Sequence, residues 1–550
     1  MAYENTITEN IIMTKKQKIT HGILTLGFIL LTGCALLEPP PEDTEQITAS
    51  LAPPQRFVYD ADPHPGGTLN ISMHNPATLN PLVNTDPTVD TMLGLIYEPL
   101  FTLDSLFPVP VLASSIDIND AYNHAVISIA TRNWSDGVPV TAHDVVFSIN
   151  TIKQQPNSLY RNHVSVIQSA TAINDSTLQL TFTRAVGGRI EYYLTFPIIP
   201  RHFFYGNIST RAMETLGTGP FVVQTATFPR EMLLFHNPQS NLTPYITAIR
   251  VLITHDRATD FNSLAQNIIG VLPTTLSELA QFGLSPVNHN ITSYPTAKFD
   301  FIAFNFDFVP LQNINVRRAI AYALLDQDTV YTAYLGQASR TSSVVHPYNR
   351  VYHHGLSYHQ QDMDKALELL YEAGFSHIDE DSRVMGSIAA GVPVPLSLRI
   401  LVNNENAERL HIANILRQNL ESLGIYINFM AVDFEEYQYE IANRNFDILF
   451  AGVDLGRDMR FLLSSTGSSN FMNYASQDLD SYLSQATFAS TANAYYNTML
   501  ALQQYINTNL PIVGIAFRHN IIVTNAGIST AGGIPNTVSV YNGIENWFLY

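Results

Sequence analysis

The stretch "VHPYNRVYHHGLSYH" gathers four imidazoles, His346, His353, His354 and His359. Imidazole is a common transition-metal ligand, so this is the best metal candidate in the chain. Adjacent histidines on looped or extended backbone point apart, however, and no carboxylate or cysteine stands at ligand spacing, so a solvated loop is the expectation. Glu435 and Glu436 offer paired acids of the kind glycosidases use, but they open an apparent helix, where the macrodipole alone favours acids. The motifs H-E-x-x-H, G-x-S-x-G, G-x-x-x-x-G-K-[ST], G-x-G-x-x-G and S-x-x-K are all absent. The chain therefore displays no metal, nucleophile, phosphate or dinucleotide signature. Neither catalysis nor a cofactor is expected.

The elements that must position any site are legible. "GGTLNISM" puts Leu69, Ile71 and Met73 on one face, and "STLQLTFTR" does the same with Leu178, Leu180 and Phe182, both half-buried strands. Thr141 to Asp144 reads as a capping box ahead of Val145, Val146, Ile149 and Ile152 at helical spacing. Asn315 can cap a helix striped by Val316, Ala319, Ile320, Ala323 and Leu324. "DMDKALELLYEAGF" is a helix closed by Gly374, and another runs from Ala407 to Leu423 before Gly424. Ile425, Ile427 and Phe429 then alternate as a strand. Strands and helices mix without a fixed repeat, giving an α/β fold. At 550 residues and 46% hydrophobic composition the chain should divide into lobes, since single cores stop growing near ~250–300 residues.

With 28 basic against 47 acidic side chains the net charge is −19, which argues against nucleic acid and against a polybasic membrane mode. The only cysteine, Cys34, follows lysines at 15, 16 and 18 and an uncharged stretch from Ile19. A basic segment, a short apolar run and small residues read as an export signal over 1–33, with Met13 as an alternative start. Leu31-Thr32-Gly33-Cys34 resembles the bacterial lipobox, in which the cysteine is lipidated and becomes residue one. Residues 34–65, "CALLEPPPEDTEQITASLAPPQ" and onward, hold prolines and acids with few large apolar residues and read as a tether.

Several stretches together resemble the family 5 extracellular solute-binding proteins, the oligopeptide, dipeptide and nickel receptors of bacterial ABC importers. They are "GGTLNIS", "TLNPLVNTD", "NWSDGVPVTAHDVVFSIN", "GTGPF", "FDFIAFNF" with "NINVRRAIAYALLDQDTV", "FDILFAGV", "SSNFMNYASQDLDSYLSQA" and "YNGIENWFL", in family order across residues 66–550. The resemblance implies a two-lobed periplasmic-binding-protein-like fold with a hinge and an inserted domain. By analogy 66–100, 200–297 and 520–550 build lobe I, 101–199 the inserted domain and 298–519 lobe II. A solute is captured between the lobes and handed to a permease driven by separate ATPase subunits.

Peptide-binding members pair an Asp in a G-W-x-A-D-Y segment with the peptide ammonium. The corresponding run here is Gly452-Val453-Asp454-Leu455-Gly456-Arg457-Asp458, with Val453 at the tryptophan position and about two residues fewer before "FLL". The resemblance makes Asp454 or Asp458 the ammonium anchor, Arg457 a carboxylate partner or a neutraliser of these acids, and Asn84, Thr85 and Asp86 the counterpart on lobe I. Trp134, Asp136 and Gly137 are expected to form a structural turn. Arg317 is open between a cleft contact and an interlobe ion pair. The partners expected are a peptide or other small solute, the permease and ATPase, and a membrane through lipid on Cys34, the protein itself being a monomer. Receptors for a sugar, an opine or chelated nickel, and a signalling or structural lipoprotein, remain open beside the peptide reading. The localisation expected is the outer face of a bacterial membrane, in a periplasm or at the cell surface. Cys34→Ala should move the protein from the membrane pellet to the soluble fraction, and a variant that still sediments with membranes rejects the lipid anchor.

Overall fold

The structure is a computed structural model that describes residues 62–550, apart from 105, 187–189, 284–288, 325–326, 357–358, 380–382, 456–458, 490, 531–532 and 534. The export signal, Cys34 and nearly all of the tether lie outside the described residues, as do Arg457 and Asp458. No helix among the described residues is long and apolar enough to cross a membrane.

Three larger sheets organise the body. In the first, Thr68–His74 pairs in parallel with Ala248–Thr254, which continues antiparallel to Glu231–His236 and then Phe221–Thr227. Leu69, Ile71 and Met73 are buried on one side of the opening strand, as its alternation requires. The second sheet lies wholly between the two parallel partners of the first in sequence. Its order is Ala113–Ile118, His124–Ile129, Thr177–Phe182 and Ile167–Asn174, all antiparallel. Helix Ala142–Gln154 covers it, and its start is held as the capping pattern requires: Asp144 Oδ2 accepts the Thr141 amide at 2.7 Å.

The third sheet has seven strands. Val271–Thr274, Ile512–Asn525, His289–Phe304, Ile448–Asp454, Ser397–Asn403 and Tyr426–Val432 follow in order, and Ala338–Arg340 adds to Ile512–Asn525. Ser397–Asn403 runs parallel to both of its neighbours, and the other pairings are antiparallel. Period-two alternation gives this sheet two buried faces. Ile302 and Phe304 enter a core with Ile320, Ile400 and Leu416, whereas Phe299 and Phe301 enter another with Leu449, Leu462 and Leu502. A further core spans the first two sheets and includes Trp134, Phe221 and Trp547.

The two longest strands connect these cores. Tyr294 and Ile522 belong to the core of the first two sheets, while Phe299 and Phe517, a few residues away on the same strands, belong to the third sheet. The ladder register shifts between Pro295 and Phe299 and again between Asp300 and Phe301. Bulges bend and twist a pair where they occur, so the chain changes direction where it changes core.

Local chemistry corrects one expectation. The helix Ile314–Leu324 starts earlier than the pattern suggests, and Asn313, not Asn315, accepts an amide at its entrance, 2.9 Å from Asn315 N. Asn315 instead donates to Glu372. Gly424 closes helix Ala407–Ser422 at φ +86°, a conformation costly to other residues. Asp433 caps helix Phe434–Ala442, whose first turn carries Glu435 and Glu436 as the dipole favours.

Phe301 is fully buried and lies 5.3 Å from the Phe299 ring centre to centre. Phe301→Ala should lower stability by about 3–5 kcal/mol in urea unfolding; a loss below about 1 kcal/mol would show that this strand does not hold the core.

Candidate functional site

Strands Ile448–Asp454 and Ser397–Asn403 are parallel, and their carboxyl ends lie where ligands gather in open α/β sheets. Helix Ala407–Ser422 starts just beyond the second of these, its entrance capped by Asn406, whose side chain accepts the Arg409 amide at 2.9 Å. That turn aims Arg409 back over the sheet. Its Nε sits 3.3 Å from Oδ1 of Asp300, while Arg518 Nε reaches Oδ2 at 3.2 Å and the Tyr334 hydroxyl donates to Oδ2 at 2.8 Å. Asp300 is 0% exposed. Burial, then the Asp300 charge, pushes the Tyr334 phenol well up, so it stays a hydrogen-bond donor.

Gly452 pairs with Asp300 across the ladder. A β-carbon there would collide with Asp300 Oδ1 and come within 2.7 Å of Arg409 Nη2. The glycine leaves room for the buried ion group. Lys298 stands two ladder positions outward, opposite Asp454, and its ammonium donates to Asn520 Oδ1 at 3.0 Å. Burial and then Arg518 lower the Lys298 pKa, while Asp454, Glu278 and Asp300 pull it back up. Asp454 is exposed at the strand end, Val453 is half-buried, and Leu455 is buried with its amide on Ala297 O at 3.0 Å.

The residues expected on lobe I form a separate cluster. Asn84 is buried and pinned by its own loop: Oδ1 accepts the Asp86 amide and Nδ2 donates to Asp86 O at 2.7 Å. Thr85 is exposed. Asp86 caps helix Pro87–Leu93 through Thr88 at 2.7 Å and faces His74 at 3.4 Å. Burial would raise its pKa, but the Thr88 and Val89 bonds and His74 hold it below the usual carboxylate range. Charge continues onward: His74 to Asp260 at 3.8 Å, Asp260 to Arg257 at 3.3 Å, and Arg257 to Glu278 at 3.1 Å. The neighbouring Ser277 hydroxyl donates 2.8 Å to Glu408 Oε1, at the start of helix Ala407–Ser422. A row of polar contacts thus leads from the first sheet's strand ends to Glu278, and that of its neighbour Ser277 ends on Glu408, next in sequence to Arg409. Among its members only Asp86 was singled out by sequence. The available signal for Asp300 was a lone acid inside the apolar strand "FDFIAF".

Other candidates resolve into structure. Arg317 donates to the carbonyls of Leu510, Leu311, Gln312 and Asn509, and its guanidinium lies 4.8 Å from the Phe306 ring centre, so it is neither a cleft contact nor an interlobe ion pair. Trp134 is buried and Gly137 has φ +89° in the expected turn. His346 is buried, not solvated, whereas His354 is exposed. No group of three or more His, Cys, Asp or Glu among the described residues could hold a metal ion. A groove of about 890 Å³ lies away from the strand ends, between helix Ala142–Gln154 and residues 201–210.

Asp300→Asn keeps the shape but removes the buried charge that two partly buried guanidiniums share. Breaking a buried pair costs about 3–5 kcal/mol, and urea unfolding should show a loss of that order; unchanged stability would mean that water already screens the group.

Residues 108–473 match the family described as Bacterial extracellular solute-binding proteins, family 5 Middle. Heme-binding protein A of Haemophilus influenzae is 22% identical over 545 residues, covering 92% of this chain and 94% of its own. The periplasmic oligopeptide-binding protein OppA of Salmonella typhimurium is 21% identical, covering 76% of this chain and 80% of its own. Among solved structures, the ABC transporter substrate-binding protein CtaP of Listeria monocytogenes superposes with a TM-score of 0.71 at 22% identity, over 88% of this chain and 99% of its own. The three-sheet α/β body is accordingly the two-lobed binding-protein fold. The chain belongs to the bacterial extracellular solute-binding proteins of family 5, receptors that deliver a solute to an ABC transporter.

Proposed function

We propose that this receptor captures peptides between two lobes and works as a monomer held at the outer face of a bacterial membrane by lipid on Cys34. Lobe I would comprise 66–100, 200–297 and 520–550, with 101–199 inserted, and lobe II would comprise 298–519. The division of the cores along the two long strands supports this partition, and hinge bending at the bulged segment would open and close the cleft.

The observation that carries the peptide reading is the pairing of opposite charges at the strand ends. Exposed Asp454 stands beside Lys298, with Arg518 and Arg409 behind it. A zwitterion presents both an ammonium and a carboxylate, and each would find a complementary partner within this group without leaving a buried charge unpaired. The oligopeptide-binding relative supports the same solute class. Asp458 and Arg457, next along the chain, are proposed as further contacts of the solute by sequence position alone.

Thermal shift of the full chain with dialanine, tetra-alanine, maltotriose, hemin and nickel–histidine tests the reading. Ligand at 100 times its Kd stabilises by about 2.7 kcal/mol, so a binding peptide should raise Tm by several degrees. A shift with maltotriose, hemin or nickel–histidine and none with either peptide would overturn the peptide assignment. Asp454→Ala should abolish the peptide shift; an undiminished shift removes Asp454 as the ammonium anchor.

A further inference from the structure

His346 and His519 meet on the second long strand although 173 positions separate them in sequence. His519 lies in Ile512–Asn525, opposite Pro295 in the bulged segment, and its ring centre is 6.3 Å from that of His346. His346 packs on Phe517 at 4.9 Å and on Tyr348 at 5.1 Å, and it is 4% exposed. Each ring has one nitrogen bonded and one left over. The Tyr348 backbone amide donates to His346 Nδ1 at 3.1 Å, and Ser339 Oγ meets His519 Nε2 at 2.9 Å. His346 Nε2 and His519 Nδ1 are both buried and have no hydrogen-bond partner among the described residues.

The first of these bonds fixes a proton. A backbone N–H can only donate, so His346 Nδ1 accepts and the neutral ring must carry its hydrogen on Nε2. His346 Nε2 is therefore a buried donor in need of an acceptor. His519 Nδ1 can either donate or accept, according to how the Ser339 hydroxyl turns. Both rings stay neutral: burial and then the neighbouring His519 push His346 down to about 3, and burial pushes His519 down to about 4. A ring nitrogen that carries its hydrogen is not a metal ligand, and a carboxylate buried against two neutral rings would lack a counter-charge. What remains is an uncharged oxygen, which accepts from His346 and meets His519 in either of its tautomers.

The separation of the ring centres leaves room for one such atom. A direct N–H···N bond would bring the ring centres to about 5 Å, whereas one bridging oxygen at ordinary hydrogen-bond lengths leaves them about 6–7 Å apart. Two more buried polar atoms without partners, Gln337 Oε1 and Ser342 Oγ, lie on the segment that joins the second long strand here. Four residues past His346 in sequence, Arg350 lies over the Phe107 ring at 4.5 Å, a contact between lobe II and the inserted segment.

We propose that His346 and His519 form a subsite for a neutral oxygen of the solute, an amide carbonyl or a hydroxyl, whose place a water takes in the unliganded receptor. This rests on the receptor reading but not on Asp454. Two polar groups left buried without partners are costly, and buried water satisfies such groups when two or more partners converge.

Two crystal structures of the full chain test it, one unliganded and one with whichever of tetra-alanine or maltotriose shifts Tm. A water within about 3.2 Å of both nitrogens, replaced by a solute oxygen on binding, is the expected result. An unliganded site with no oxygen there, or a water that stays when solute binds, overturns the subsite. In parallel, His346→Phe keeps the ring and removes the donor, and His346→Gln returns an amide N–H. The Phe variant should bind about three- to tenfold more weakly and the Gln variant should recover part of the loss. Unchanged affinity in the Phe variant refutes the subsite, whereas a wild-type protein that binds none of the five probes refutes the proposed function and leaves the unliganded structure to decide the histidines.

Discussion

Asp300 is the constraint on which the third sheet depends where Ile448–Asp454 ends. A carboxylate with no exposed surface is tolerated only where cations and hydrogen bonds replace its water. Arg409, Arg518 and Tyr334 supply them from three separate parts of the chain: the start of a helix, a long strand and the segment before an edge strand. Satisfying one charge therefore fixes three backbones relative to one another. Gly452 is the geometric condition for it, because any side chain there would occupy the space of the ion group. The charged surface beyond, with Lys298 and Asp454, inherits its position from this buried core.

The same sheet shows how alternation builds a two-sided support. Phe299 and Phe301 face one core and Ile302 and Phe304 the other, so the strand holds helices on both of its faces. Where the strand passes the register shift at Pro295, it keeps Ile512–Asn525, gains Ile448–Asp454 on its other edge, and changes core. Polar continuity accompanies that change: from Asp86 through His74, Asp260, Arg257 and Glu278, and from Ser277 to Glu408, charged and polar side chains span the boundary that the apolar cores leave. Apolar packing alone across that boundary would favour a closed form of a two-lobed receptor regardless of solute, since any opening would expose that surface.

Local order was legible in the sequence because it depends on neighbours. The strand at Leu69, the capping pattern at Thr141 and the helix closed by Gly424 need only a few adjacent residues to be recognised. The family landmarks were legible for a different reason, as a set of short patterns in order. The ion group was not, since Asp300, Arg409 and Arg518 are distant in the chain and nothing at any one of them announces the others. Arg317 illustrates the converse. A lone arginine at a helix start suggested charge pairing, yet it answers backbone carbonyls at the end of another helix. His346 was expected in a solvated loop because its partner His519 arrives only through the pairing of Ala338–Arg340 with the second long strand.

The order of segments along the chain has a consequence for how the molecule is made. The first sheet's opening strand waits for a partner that begins at Ala248, with the whole second sheet between them. The third sheet waits for Ile512–Asn525, which pairs with three of its strands, and the core of the first two sheets is completed by Trp547. As the chain is synthesised from its amino end, neither half is complete until the final forty or so residues emerge. Contacts so distant in sequence form slowly, and unpaired strand edges stay exposed in the meantime. Loss of the segment from Ile512 to Trp547 would therefore unmake both halves together.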